Sequence, residues 1–271
     1  EILLLENIRF YEGEIKNDDI FAKKLASLGE IYINDAFSCS HRKQASIHKI
    51  TKYVEASYAG PQLKKEIAAI NLIIKDKKKP ISCIIGGSKV STKINVILNL
   101  IKNVNNIIIV GAMANNFLLY KHFNIGKSLI EKNSSKIIEN IYLEAKKYNC
   151  NVVIPEDCNV SKTFDGDATS KKNNEINANE IILDIGPKTL IKIKNIIDNS
   201  NTILWNGPAG YFENQNFSVG TDTIARIISK NTIDRSIISI LGGGDTISAI
   251  NKMEEQLSFT HLSTAGGAFL E

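Results

Sequence analysis

Residues 239–246 read Ser-Ile-Leu-Gly-Gly-Gly-Asp-Thr: an apolar run ends in three glycines, an acid and a hydroxyl. Glycines let a backbone approach a ligand closely. A helical pattern from Ile247 follows, and a helix N-terminus offers unpaired N–H groups and a positive dipole. An aspartate beside phosphates can hold Mg2+. Together these are the parts of a nucleotide phosphate site. The feature recurs, which strengthens it. Ile84-Ile85 leads into Gly86-Gly87-Ser88-Lys89, and Ile108-Ile109-Val110 into Gly111-Ala112. Ile203-Leu204-Trp205 leads into Asn206-Gly207-Pro208, and His261-Leu262-Ser263 into Thr264-Ala265-Gly266-Gly267.

Cations stand beside these turns. Lys89 and Lys93 lie four apart after Gly86-Gly87. A helix beginning near Ser88 to Ser91 would put both on one face, suited as mobile charges to a transferring phosphate; exposed helix lysines are the alternative. Glu213, after Gly210-Tyr211-Phe212, could accept hydrogen bonds from ribose hydroxyls. Arginine occurs only at Arg9, Arg42, Arg226 and Arg235. Arg9 and Arg42, the latter beside His41, follow two expected strands at 2–5 and 30–34. Guanidinium groups bind carboxylate and phosphate through two donors at once, so this pair suggests an anion site, with structural ion pairs as the alternative.

The elements needed to position these groups are visible. Short β-branched runs alternate with lysine-rich stretches of helical spacing such as 136–147, which predicts α/β architecture with parallel sheets and helices on both faces. Ligands of such sheets sit at the carboxyl ends of the strands, so the glycine turns should share one crevice. Residues 1–57 form a first block, with a helix around 20–28 that Asn17, Asp18 or Asp19 could cap. Ala59-Gly60-Pro61 punctuates the chain, and a helix over 63–74 could connect two domains. The polar stretch 171–179 reads as a surface loop, and the lysine run 75–79 as a solvated one.

Composition narrows the classes. The chain has 271 residues, 43% of them hydrophobic, and a net charge of +4. No apolar run reaches membrane-spanning length, and no signal peptide is visible. Cys39, Cys83, Cys150 and Cys158 form no metal-ligand rhythm and read as buried reduced thiols of a cytoplasmic protein. The four histidines are equally scattered. No aromatic-interleaved basic helix supports nucleic-acid readout.

The segments LLENIRF (4–10), NDAF-SCS-HR (34–42), GGSKVSTKI (86–94), ILWNGPAGYFE (203–213), GGGDT (242–246) and STAGGA (263–268) resemble the phosphoglycerate kinase family in order and spacing over essentially the whole chain. The resemblance implies a two-domain hinge enzyme with a Rossmann-like nucleotide domain. It would move a phosphoryl group between 1,3-bisphosphoglycerate and ADP, giving 3-phosphoglycerate and ATP with Mg2+. It further implies a cytoplasmic monomer acting on small molecules, with no nucleic acid and no membrane.

Residues 1–57 would be a partial phosphoglycerate-binding domain, 58–76 an interdomain helix, and 77–271 the nucleotide domain. Arg9, Arg42 and His41 would bind phosphoglycerate. Lys89, Arg42, Gly243 and Gly266 would serve catalysis. Gly87, Lys89, Lys93, Gly111, Leu183, Asn206, Pro208, Glu213, Gly243, Gly244, Asp245 and Thr246 would form the nucleotide site, with Asp245 on the metal. The family pattern departs at Ser38, Cys39, Gln44, Ala112 and Ala265. The Ala265 methyl matters if that position needs positive φ. Family sequence expected before Glu1 and after Glu271 is not in the chain, which points to a fragment without turnover of its own. Two other readings are a non-catalytic nucleotide-binding module and a dinucleotide oxidoreductase, though neither G-x-G-x-x-G nor a Walker motif occurs.

Overall fold

The computed structural model describes residues 2–76, 78–263 and 265. Gly266 lies outside them, as do Glu1, Lys77, Thr264, Gly267 and the rest of the chain end. The chain divides into two compact units at Ile70 and Asn71.

The first unit holds α1 (Glu12–Ile15), α2 (Asp19–Ala26), β1 (Ile31–Asn34), β2 (Ala56–Ala59) and the start of α3 (Pro61–Asp76). Asp18 caps α2, its carboxylate accepting from the Phe21 N–H at 2.8 Å, which meets an orphan donor of the first turn. Glu14 is buried and accepts from both the N–H and the hydroxyl of Ser46. Strands β1 and β2 pair in parallel, Ile31 opposite Ala56. The strand expected at 2–5 is absent: these residues are coil and exposed. An apolar run becomes a strand only where a neighbour takes its backbone hydrogen bonds, and here none pairs with it among the described residues.

The second unit contains β3 (Ile81–Ile85), α4 (Ile94–Ile101), β4 (Asn106–Ile109), α5 (Gly111–Tyr120), α6 (Ser135–Lys147) and β5 (Asn151–Val153). It continues with β6 (Asp157–Ser161), β7 (Thr169–Lys172), β8 (Ile181–Ile185), α7 (Pro187–Asp198), β9 (Thr202–Asn206), α8 (Val219–Arg235), β10 (Ile238–Gly242), α9 (Gly244–Lys252) and β11 (His261–Ser263). Six strands form one sheet in the order β11-β10-β9-β3-β4-β5, every pairing parallel. β3, β9 and β10 are buried along their whole length, as expected of a parallel sheet with helices on both faces. Ile84, Ile108, Trp205 and Leu241 of the sheet join Ile193, Ile197, Ile224 and Ile228 of α7 and α8 in one core.

The stretch 171–179 is not simply a surface loop. Its first residues belong to β7, which with β6 and β8 makes an antiparallel three-stranded sheet. Lys171 pairs with Glu180 at 2.7 Å, and the buried Asn173 donates to the Pro155 carbonyl. Pairing to β6 overrides a weak local strand preference. The lysine run at 75–79 likewise begins inside α3 rather than in a loop. The cysteines are free; Cys83, Cys150 and Cys158 are buried as expected, whereas Cys39 is only half-buried. Burial pushes the Cys83 thiol up to about 12, which keeps it protonated and inert.

Candidate functional site

Because all pairings in the large sheet are parallel, the turns after its strands open on one edge. From β3 the chain winds to β4 and β5, then returns to place β9 on the other side of β3. That reversal is the switch point at which open α/β sheets bind ligands. The turns there are laced together. Gly86 N–H donates to Asn206 O at 2.8 Å, Gly111 N–H to Ala209 O at 3.1 Å, and Met113 N–H to Gly87 O at 2.6 Å. Gly207 N–H donates to the buried Thr246 hydroxyl at 2.7 Å. Gly86 and Gly207 approach each other closely. A Cβ on Gly207 would stand 2.5 Å from Gly86 C, and its φ of +100° disfavours any other residue.

The lysines are not on one helix face. α4 begins at Ile94, and residues 86–93 form a loop that turns the buried Val90 inward. Lys89 is exposed on this loop. Lys93 stands at the N-terminal boundary of α4, and its side chain reaches back to the switch point, donating to Gly86 O at 2.6 Å and Asn206 Oδ1 at 2.7 Å. Burial holds the Lys93 ammonium below its ordinary range, while Cys83 and Asp245 push the other way. Asp245 itself is exposed in the first turn of α9, behind Gly243 at the cap and Gly244 at the first helical position.

A cavity of about 350 Å³ opens beside these groups. Gly87, Gly111, Leu183, Pro208, Glu213 and Asp245 line it. Phe164 and Tyr211 also line it, edge to face with ring centres 5.4 Å apart. Asp184, also in the wall, was not singled out from the sequence. Its carboxylate accepts from Gly220 N–H at 2.7 Å and Ile185 N–H at 2.8 Å. Burial nevertheless pushes it up to about 7, against those two hydrogen bonds. An acid inside the apolar run Ile-Leu-Asp-Ile carries no periodic signal, so only packing reveals it.

The structure therefore brings Gly87, Lys93, Gly111, Leu183, Asn206, Pro208, Glu213, Gly243, Gly244, Asp245 and Thr246 together along one sheet edge and its cavity, with Lys89 on the adjoining loop. Ala265 is buried, its N–H donating to the Ser263 hydroxyl.

In the first unit, Asn34 and Ser40 shape the turn that leads to His41 and Arg42: Asn34 Nδ2 donates to Ser40 Oγ, and Ser40 Oγ to Ala36 O. Asp35 of the same motif caps α3, accepting from Leu63 N–H at 2.9 Å. His41, Arg42 and Arg9 are all exposed, and Arg9 sits in a 3-10 turn at Ile8–Phe10 rather than at a strand end. Arg226 chelates Glu255 and Arg235 binds Asn231. No described acid pairs with Arg9 or Arg42, which leaves both guanidiniums open to an anion.

The family model described as phosphoglycerate kinase matches residues 1–271. The phosphoglycerate kinase of Wolbachia sp. subsp. Drosophila simulans (strain wRi) is 47% identical over 273 aligned residues, which cover 100% of this chain and 68% of the relative. That of Francisella philomiragia is 42% identical, with 100% and 69% covered. Among solved structures, phosphoglycerate kinase from Coxiella burnetii superimposes with a TM-score of 0.86 at 38% identity, over 97% of this chain and 67% of the other. The Pyrococcus horikoshii OT3 enzyme gives 0.81 at 28% identity, over 98% and 68%.

Proposed function

The chain belongs to the phosphoglycerate kinase family, and on that premise we propose that its second unit binds Mg-ADP in the cavity beside the β3 and β9 turns. The family reaction passes a phosphoryl group between 1,3-bisphosphoglycerate and ADP, giving 3-phosphoglycerate and ATP. The bond from phosphorus to the carboxyl oxygen breaks while one to the terminal oxygen of ADP forms. Such transfer needs positioning and charge neutralisation rather than a covalent nucleophile.

The observation that carries the reading is convergence. Gly87 and Asp245 line one cavity, and Lys93 Nζ lies against Gly87 at the switch point. Leu183 and Pro208 would hold the nucleotide from apolar walls, and Glu213 would accept from ribose hydroxyls. Lys93, desolvated, attracts phosphate more strongly than a lysine in water. Lys89, exposed and on a short loop, would meet the phosphoryl group in transfer. The open N-terminus of α9, with Gly243 and Gly244, suits phosphate oxygens.

The donor set also fits magnesium. Asp245 is an exposed single carboxylate, and the described residues form no cluster of three His, Cys, Asp or Glu that could cage a metal. That suits a cation held chiefly by phosphate oxygens and water. Bound there, Mg2+ supplies charge neutralisation for the phosphates.

Residues 1–57 are read as part of the phosphoglycerate side, with Arg9, Arg42 and His41 as its anion donors; 58–76 as the connecting helix; and 77–271 as the nucleotide domain. Hinge closure would keep water from the transferring group. Free thiols fit a reducing compartment, and we place the protein in the cytoplasm. Calorimetry on the 271-residue chain should show ADP binding that tightens with Mg2+, and Asp245→Ala should abolish that gain. Equal affinity with and without Mg2+ in the unsubstituted chain would remove Asp245 from the metal.

A further inference from the structure

The loop that carries Lys89 and Lys93 is held from outside itself. Glu131, forty residues away, turns both carboxylate oxygens on Ser91: Oε2 accepts from the Ser91 N–H at 2.9 Å and Oε1 from the Ser91 hydroxyl. These bonds hold the Glu131 carboxyl below its usual range, with smaller help from Val90 N–H and the Lys89 charge. Glu131 is itself anchored to α5. Its N–H donates to Asn116 Oδ1 at 2.8 Å. Asn115, next along α5, donates to Leu129 O at 3.1 Å, and both Asn115 and Leu129 line the cavity. Hydrogen bonds at Leu129 and Glu131 thus tie the segment 129–131 to the cavity wall at one end and to Ser91 at the other.

We propose that Glu131 is a positioning residue: by gripping Ser91 it fixes the Lys89–Lys93 loop relative to the nucleotide cavity, so that the lysines meet phosphate groups in register. This rests on the reading of that cavity as a nucleotide site. Without the grip, the segment between Gly87 and α4 keeps the buried Val90 and the Lys93 bonds to Gly86 O and Asn206 Oδ1, so a shift of the loop pulls on Lys93 as well as Lys89. Loosening the loop should weaken contacts to phosphate and spare contacts to the nucleoside.

The test titrates the 271-residue chain calorimetrically with Mg-ADP and, separately, with adenosine. Glu131→Ala is expected to weaken Mg-ADP about tenfold, the scale of losing hydrogen bonds to a charged group, with adenosine held within about twofold. Ser91→Ala, at an exposed residue whose loss does not threaten folding, should do the same. The double variant should be no weaker than either single one, because both break the same latch. Equal losses for Mg-ADP and adenosine would mean a general distortion of the cavity and overturn the proposal. So would multiplicative losses in the double variant, or unchanged Mg-ADP binding in both singles. If the unsubstituted chain bound neither ligand, the nucleotide reading would fall first and the latch with it.

Discussion

Lys89→Ala is expected to lower kcat by on the order of a hundredfold or more, the usual scale for losing one contact made to developing charge. ADP affinity should change little. The assay uses the chain joined to the segments of the wRi relative that it does not match, so that both substrates can bind. The split follows from where the two lysines sit. Lys93 is drawn into the switch point by Gly86 O and Asn206 Oδ1, so its charge is in place before any phosphate arrives. Lys89 is exposed and makes no such bond. A charge held free for the group in flight interacts more strongly in the transition state than in either ground state, and only such interactions raise kcat. A variant with normal kcat and only a raised KM for ADP would make Lys89 an ordinary binding residue.

The buried parallel strands were legible because burial on both faces demands near-continuous apolar runs. Ile-Ser-Cys-Ile-Ile at β3 and Thr-Ile-Leu-Trp-Asn at β9 are such runs, and each ends in glycines. Their common edge followed from parallel pairing alone. What could not be read were placements decided by distant partners. The helix after Gly87 starts at Ile94 rather than near Ser88 because Val90 turns into the core, and one valine in a polar loop gives no period. β7 is Thr-Ser-Lys-Lys, a polar run that is a strand only because β6 pairs with it. The reverse error occurred at residues 2–5, where an apolar run found no neighbour. Site chemistry followed the same division. Glycines, lysines and Asp245 stand in contiguous motifs that spacing displays; Asp184 and Glu131 make their contacts with residues tens of positions away, which spacing does not encode.

The 271-residue chain by itself is expected to bind Mg-ADP yet to turn over at least about a hundredfold more slowly than the chain joined to the unmatched segments of the wRi relative, the least that loss of substrate positioning should cost. The argument lies in the first unit. Ile2 and Leu4 are 98% and 94% exposed, and among the described residues the sheet there has two strands, with Ile31 and Ile33 of β1 59% and 60% exposed. A sheet of two strands is marginal in water without more strands or better cover, and open apolar edges favour association over a fixed geometry. The anion donors proposed for this unit are Arg9, Arg42 and His41. Two guanidiniums answer only part of the charge on a bisphosphorylated substrate, and a substrate held loosely does not keep its acyl phosphate in line with ADP. The second unit suffers none of this, since its sheet is buried and its turns are cross-linked. Binding and turnover should therefore separate in this chain. A coupled assay of the two proteins side by side decides the matter: turnover by the 271 residues within about tenfold of the longer protein would show that Arg9 and Arg42 position the substrate unaided.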